Sequence, residues 1–299
     1  MSTKLVAGTF TPSVLLTVAR RLGLLDERDL VVAEVPVPSS PAQFRALLAG
    51  DLDVAFTSPD NVLAYRFDPA NPLGRTADVR IACAVDRGLG LALYGRPGLD
   101  PAGLRGAVVG VDVPTSGFAL AMYALGDALG VGRDEYRLVT LGSTPRRRRA
   151  LLAGECDATM LNAGSELLAE EAGCVRLASV ADLGAPYLGS VLAVAGHDRL
   201  AAATELAGAL RRAAELVHSG QADEVARDAA MSILDLPEHL AARYVDRLSS
   251  PVEGVITDAG VDRAALATIV ALRRRYLPDC GDVLATALEP SSGLIAPGR

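Results

Sequence analysis

A nine-residue phrase occurs twice in this chain, as RALLAGDLD at residues 45–53 and as RALLAGECD at residues 149–157. Seven of the nine positions are identical, and the copies lie 104 residues apart (149 − 45). A fold built from two similar halves would explain the recurrence, and so would chance in an Ala- and Leu-rich sequence. The order of elements around each copy distinguishes these explanations.

Each copy ends a helix within the same succession of predicted elements: strand, polar loop, helix, strand, helix with the repeated phrase, strand, helix. In each copy a Gly reverses the chain, and the following Asp53 or Asp157 leads into a strand, where we expect it to bond local backbone. Alternating strands and helices predict an α/β chain with mainly parallel sheets flanked by helices. The predicted strands include KLVAG, LVVAEVPV and DVAFT in the first run and AVVGV, YRLVTL and DATML in the second.

Beyond residue 195 the pattern is helical, over about 200–218, 221–232, 237–249 and 262–275. The final segment EPSSGLIAPGR is predicted to be loop or disordered. The run Arg146–Arg149 follows a Ser-Thr-Pro helix start and is predicted to be a solvated helix face, with an Arg that reaches an anionic ligand as the alternative.

Composition excludes several classes of function. The net charge of −7 argues against a general nucleic-acid binder, which needs a positive surface. No apolar run is long enough for membrane insertion. No GxGxxG, P-loop or GxSxG motif is present, and the cysteines lack zinc-ligand spacing, so no cofactor or metal is expected. The N-terminal MSTKLVAGTF has no signal-peptide pattern, so we expect a cytoplasmic protein, or a periplasmic or extracellular one only if a leader has been removed.

Four segments resemble motifs of the type 2 periplasmic binding proteins, in the branch that binds sulfonates, taurine, nitrate and thiamine-pyrimidine precursors. They are TPSVLLTVARRLGLL, LLAGDLDVAF, LRGAVVGV and LLAGECDATM. The resemblance covers roughly residues 4–195 and implies two lobes with a ligand cleft between them. Residues 1–88 and 190–299 would form the first lobe and residues 89–189 the second, with hinge crossings near 86–90 and 188–191.

Hydroxyl residues recur where predicted strands lead into helices, which is where ligands bind in open α/β sheets. Unpaired N–H groups at helix starts favour an anionic or strongly polar group. Ordinary helix capping is the alternative role of each hydroxyl. The candidates are Thr9, Thr11, Ser13, Thr57, Ser58, Thr115 and Ser116.

Three aromatic residues are candidates to stack on a flat ligand. Phe10 and Phe118 flank the polar loops, and Tyr187 lies near the second crossing. Ordinary core packing is the alternative for the two Phe residues.

Three polar residues complete the candidate set. Asp60 and Asn162 follow strand ends and could meet amines or ring nitrogens, although Asp60 also suits a helix start. Arg87 lies beside the first crossing and is the candidate partner for a carboxylate or sulfonate, with a hinge salt bridge as the alternative.

Two functions follow from these patterns. The first is a binding protein that captures a small organic ligand, anionic or heteroaromatic, by closing two lobes, with an ABC permease as a partner if it is exported. The alternative is a cytoplasmic enzyme on the same fold, a lyase, dehydratase or decarboxylase acting on a small carboxylated or cyclic substrate. The enzyme would need an ionisable cleft side chain with a shifted pKa; no catalytic residue is assigned.

Overall fold

The residues that the structure describes form ten strands in two five-stranded sheets. The structure is a computed structural model that describes residues 2–280 and 284–297. The strands are β1 (Thr3–Thr9), β2 (Leu30–Pro36), β3 (Val54–Thr57), β4 (Val79–Asp86), β5 (Ala92–Gly95), β6 (Val108–Val111), β7 (Arg137–Thr140), β8 (Ala158–Leu161), β9 (Val175–Ser179) and β10 (Ser190–Ala195). The first sheet has the order β2-β1-β3-β10-β4, and the second has the order β7-β6-β8-β5-β9.

Each sheet contains one strand that runs against the other four. In the first sheet β10 is antiparallel to β3 and β4, and in the second β5 is antiparallel to β8 and β9. The reversed strand is the one that enters each sheet directly after the chain crosses from the other. The two crossings touch, because the Gly189 N–H donates to the Asp86 carbonyl at 3.0 Å. This confirms the expected α/β fold with two lobes, each built on a mainly parallel sheet.

Ten helices flank the sheets in the described residues. Four of them begin with a serine that accepts a backbone N–H, as the sequence predicts: Ser13 from Leu16, Ser39 from Ala42, Ser58 from Asp60 and Ser116 from Ala119. The helices are α1 (Val14–Arg21), α2 (Ser40–Ala49), α3 (Pro59–Phe67), α4 (Gly117–Ala128), α5 (Thr144–Leu152), α6 (Ser165–Glu171), α7 (Leu200–His218), α8 (Asp223–Leu234), α9 (Glu238–Leu248) and α10 (Arg263–Tyr276). None of these helices is long and apolar enough to cross a bilayer.

The repeated aspartates perform the same task in each lobe. Asp53 Oδ2 accepts the Val6 N–H at 2.7 Å, and Asp157 Oδ2 accepts the Val108 N–H at 2.8 Å. The predicted local backbone bond is therefore wrong. Each carboxylate instead reaches a neighbouring strand 47 or 49 residues away and fixes where β3 starts beside β1 and where β8 starts beside β6.

A second pair of equivalent residues precedes the repeated phrase. Gln43 and Arg147 are also 104 positions apart (147 − 43). Gln43 Nε2 donates to the carbonyls of Gly8 and Phe56, each at 3.0 Å. Arg147 Nε and Nη2 donate to the Met160 carbonyl at 3.3 and 3.2 Å, and Met160 lies 104 positions after Phe56. The structural repeat therefore extends beyond the matching letters.

The C-terminal region packs on the first sheet and ends beside it. The Ile81 N–H donates to the Leu294 carbonyl, and the Ala296 N–H donates to the Ile81 carbonyl, both at 2.8 Å. Leu294 is buried against β4. Apart from a 3₁₀ turn at Pro290–Ser292 and an isolated bridge at Ile295, the described part of this tail is a loop, which agrees with the first alternative of the prediction. Residues 298–299 lie outside the described part.

Candidate functional site

A cavity of about 130 Å³ lies between the lobes, beyond the carboxyl ends of strands from both sheets. Helices α1 and α3 begin on it from the first lobe, and α4 and α5 begin on it from the second. Eight of the candidates line its wall: Phe10, Thr11, Ser13, Thr57, Ser58, Ser116, Phe118 and Asn162.

Two candidates beside the hinge lie away from this cavity. Asp86, the last residue of β4, lines the cavity, whereas Arg87 follows the strand and does not line it. The Arg87 guanidinium donates to the Val255 carbonyl at 3.3 Å. Arg87 and Tyr187 line a separate groove behind the crossings. The structure therefore does not bring Arg87 or Tyr187 to the cavity.

Three further candidates face protein groups instead of the cavity. Asp60 is fully buried and pairs with Arg273 Nη1 at 2.9 Å. Thr115 is exposed, and its contribution is a carbonyl that accepts from Arg273 at 3.5 Å. The Thr9 hydroxyl bonds the Glu34 carboxylate. Asp60, Thr115 and Thr9 support the surroundings of the cavity without lining it.

Arg147 lines the cavity wall and brings a positive charge to it. The sequence analysis instead predicts that Arg147 lies on a solvated helix face. Arg146 and Arg149 are exposed as expected, but the Arg147 side chain is 2% exposed. Its Nη1 donates to the Gly142 carbonyl at 2.5 Å, and its Nη2 donates to the Thr144 hydroxyl at 3.0 Å. Burial lowers the pKa of the guanidinium, and Asp112 opposes that effect. Arg147 still keeps its charge, because an Arg side chain does not deprotonate in proteins.

Two carboxylates also line the cavity. Asp86 is buried; its Oδ1 accepts the Gly88 N–H at 2.8 Å, and its Oδ2 accepts the Ser190 hydroxyl. Burial raises the pKa of Asp86 because desolvation outweighs these hydrogen bonds. Asp112 is partly buried, and its Oδ1 accepts the Ser116 hydroxyl. Among the described residues, no cluster of three or more His, Cys, Asp or Glu side chains could hold a metal ion.

On one side of the cleft, α9 joins the lobes through ion pairs with α6. Glu166 is fully buried, and its Oε2 has no hydrogen-bond partner among the described residues. Burial consequently raises the pKa of Glu166 to about 7, despite the adjacent Arg247. The pairs are Glu166 with Arg247 at 2.5 Å, Glu170 with Arg243 at 2.6 Å, and Glu171 with His239 at 2.7 Å.

On the other side, α10 joins α3 to α4. Arg273 pairs with Asp60 and Asp68 of the first lobe at 2.9 and 3.1 Å. Arg275 Nη2 and the Tyr276 hydroxyl each lie 2.6 Å from Asp127 of the second lobe.

The first turn of α4 also meets the first lobe closely. A Cβ added at Gly117 would lie 2.6 Å from the Asp60 Cβ and 2.7 Å from the Ser58 hydroxyl. The two lobes are therefore in direct contact around the cavity.

Comparison with known proteins yields structural relatives alone. No family model matches the sequence, and no curated protein matches it. The alkanesulfonate-binding protein SsuA of Xanthomonas axonopodis pv. citri, solved bound to MOPS, superposes with a TM-score of 0.70 at 20% identity over 99% of this chain and 98% of its own.

Two further solved structures give similar values. The periplasmic aliphatic sulphonate-binding protein SsuA of Escherichia coli has a TM-score of 0.69 at 19% identity, over 100% of this chain and 94% of its own. The periplasmic nitrate-binding protein NrtA of Synechocystis PCC 6803 has a TM-score of 0.69 at 12% identity, over 99% of this chain and 91% of its own. With the sheet orders and the interlobe cavity, these likenesses show that the chain has the two-lobed fold of the periplasmic binding proteins.

Proposed function

We propose that this protein binds a small organic molecule with an anionic group in the cavity between its lobes. The observation that carries the proposal is the convergence of four helix starts and the buried Arg147 on one cavity. Helix N-termini carry partial positive charge and unpaired N–H donors, so they favour an anion. An Arg beside them adds a full positive charge and donors for an anion.

The size and walls of the cavity limit the rest of the ligand. Its volume is about 130 Å³, close to the roughly 150 Å³ apolar cavity that accommodates benzene in an engineered protein. Phe10, Phe56 and Phe118 supply flat apolar walls. We therefore propose a ligand no larger than about one ring or a short chain, with its anionic group at the helix starts.

The named ligands of the structural relatives support the same class. Those relatives bind alkanesulfonates or nitrate, which are anions. Another similar structure is the ligand-binding component of an ABC-type import system from Staphylococcus aureus. An ABC permease is accordingly the proposed partner for a protein of this kind. Co-purification of the two proteins from a membrane extract, with and without ligand, would test that partnership.

A charge-removal experiment tests the proposed ligand site. Arg147→Gln introduces the residue that the first lobe carries at the equivalent position 43, where its side-chain amide still bonds a strand carbonyl. We expect this variant to fold and to bind anionic ligands at least about tenfold more weakly, since a hydrogen bond to a charged group contributes about 1.5–3 kcal/mol. Calorimetry against sulfonates, carboxylates, pyrimidines and amino acids measures the loss.

Arg146→Gln is the matched control, because Arg146 is the exposed neighbour and carries the same charge. It should leave affinity unchanged. The proposal fails if no compound in the panel binds to or stabilises the wild-type protein, or if Arg147→Gln binds anions as tightly as wild type does.

One observation favours a second candidate, an enzyme acting on a small carboxylated or cyclic substrate. Asp86 lies on the cavity wall, and burial raises its pKa, as a cleft acid–base group would require. Its two oxygens, however, already bond the Gly88 N–H and the Ser190 hydroxyl beside the crossings. We place binding first for that reason. The enzyme would become the first candidate if the protein turned over a bound compound, if Asp86→Asn abolished that turnover, and if Arg147→Gln affected binding alone.

A further inference from the structure

Asp112 is a cavity carboxylate with an oxygen available to a ligand. It follows β6, lines the cavity and is partly buried. Its Oδ1 accepts the Ser116 hydroxyl, and within the described residues its Oδ2 accepts no hydrogen bond. Asp86 differs, because protein donors occupy both of its oxygens. Of the two carboxylates, Asp112 is thus the one with capacity for a donor on the ligand.

The Ser116 hydroxyl holds the Asp112 carboxylate in a defined position. It donates to Asp112 and accepts the Ala119 N–H at 3.2 Å, so it is fixed by the first turn of α4. This arrangement keeps the carboxylate beside a helix start that otherwise favours anions. Asp112 compensates part of the charge of the buried Arg147, but the same carboxylate would repel a plain anion bound in the cavity.

Arg147 supplies the opposite charge in the same small cavity. Its three guanidinium nitrogens already donate to the Met160 and Gly142 carbonyls and to the Thr144 hydroxyl. A plain anion at Arg147 would share about 130 Å³ with the Asp112 carboxylate, and like charges at such range repel. An N–H group on the ligand, directed at Asp112, would turn that repulsion into a charge-assisted hydrogen bond.

We infer that Asp112 determines specificity by accepting a hydrogen bond from an N–H group of a ligand whose anionic group lies at Arg147. The ligand class is then a small amphoteric molecule that carries an ammonium or ring N–H group in addition to its acid group. The inference rests on the proposed function, since it takes the interlobe cavity as the binding site. It adds the requirement that the ligand carries an N–H group, whereas the helix starts and Arg147 require only an anionic group.

Matched pairs of compounds test the inference. Propane-1-sulfonate is compared with 3-aminopropane-1-sulfonate, and benzoate with 4-(aminomethyl)benzoate, by calorimetry at constant salt. Wild type should prefer the aminated member of the pair that it binds by about tenfold or more, the range expected of a hydrogen bond between charged groups. In Asp112→Asn the preference should fall below about twofold, because the aminated compound loses the charge of its acceptor and the plain anion loses a repulsive neighbour.

Asp134→Asn is the control, since Asp134 is exposed and away from the cavity, and it should retain the wild-type ratio. Asp112→Ser provides a second measurement of the ratio if Asp112→Asn does not fold. A wild-type preference for the plain anion, or a ratio unchanged by either Asp112 variant, overturns the inference and leaves the proposed function standing. Failure of wild type to bind any of the four compounds or the wider panel refutes the proposed function and this inference with it.

Discussion

Arg273 is the residue whose loss should destabilise this protein most clearly. It is 2% exposed, and its guanidinium meets Asp60 at 2.9 Å and Asp68 at 3.1 Å. Both carboxylates are buried, so water cannot replace the cation. Removal of one partner from a buried ion pair costs about 3–5 kcal/mol, because the charge left behind stays uncompensated. Arg273→Met keeps most of the apolar stem and should lower the free energy of unfolding by that amount near pH 7.

The penalty should also depend on pH. Burial already raises the pKa of Asp60 because desolvation outweighs the attraction of Arg273. Without the cation, the folded state binds a proton at Asp60 more readily than the unfolded state does. Lowering the pH therefore restores part of the lost stability, since stability falls with rising pH where the folded state holds more protons.

Urea unfolding followed by far-UV circular dichroism measures this change, and the chain has no Trp for fluorescence. Arg275→Met on the same helix is the control, because the Arg275 side chain is 62% exposed and its pair with Asp127 should contribute less than about 1 kcal/mol. The reasoning is refuted if Arg273→Met loses no more stability than Arg275→Met. It is also refuted if Asp60→Asn weakens ligand binding at unchanged stability.

Three further predictions concern closure and the repeat. Because the pKa of Glu166 is raised from 4.5 to about 7, its proton is retained by the folded state, and stability should fall as pH rises between these values; Glu166→Gln should flatten that fall in urea midpoints measured at pH 5 and 8. Gly117→Val should weaken ligand binding about tenfold or more and give a larger radius of gyration in solution scattering, because its Cβ would overlap Asp60 and Ser58 of the first lobe and force the lobes apart. Asp157→Ala should lose about 1–3 kcal/mol in urea unfolding, since the Val108 N–H at the half-buried start of β6 loses its charged acceptor, and a loss below about 0.5 kcal/mol would contradict the role assigned to the repeat.

The strands and helix starts could be predicted because their signals are local. Apolar runs such as VLAV at residues 191–194 predict strands, and serines before prolines predict helix starts. Both signals depend on residues within about one turn of each other. Strand β9 was not predicted, because it is a five-residue strand whose first two residues are exposed and whose pattern is weak. The fold as a whole was predictable because the same local signals recur in the same order twice.

The residues of the site were harder to predict than the fold. Whether a side chain lines the cavity depends on the register of its strand and on contacts with residues far away in the sequence. Arg87 and Asp86 are adjacent, and the register of β4 decides which of them faces the cavity. Asp60 bonds a residue 213 positions away, which no local pattern reveals. Arg147 was recoverable in principle, because it lies four residues before Leu151 and therefore shares the apolar face of α5.

The bonds that α9 and α10 make to the second lobe have a kinetic consequence. They join protein groups to protein groups on two sides of the cavity, so the lobes are held together by more than a captured ligand. A molecule can enter or leave after these pairs separate, and a conformational change that must precede binding lowers the association rate. We therefore expect the ligand to exchange slowly and to have a long residence time. The rate at which the contacts of α9 and α10 with the second lobe open should set that time more than the contacts of the ligand itself do.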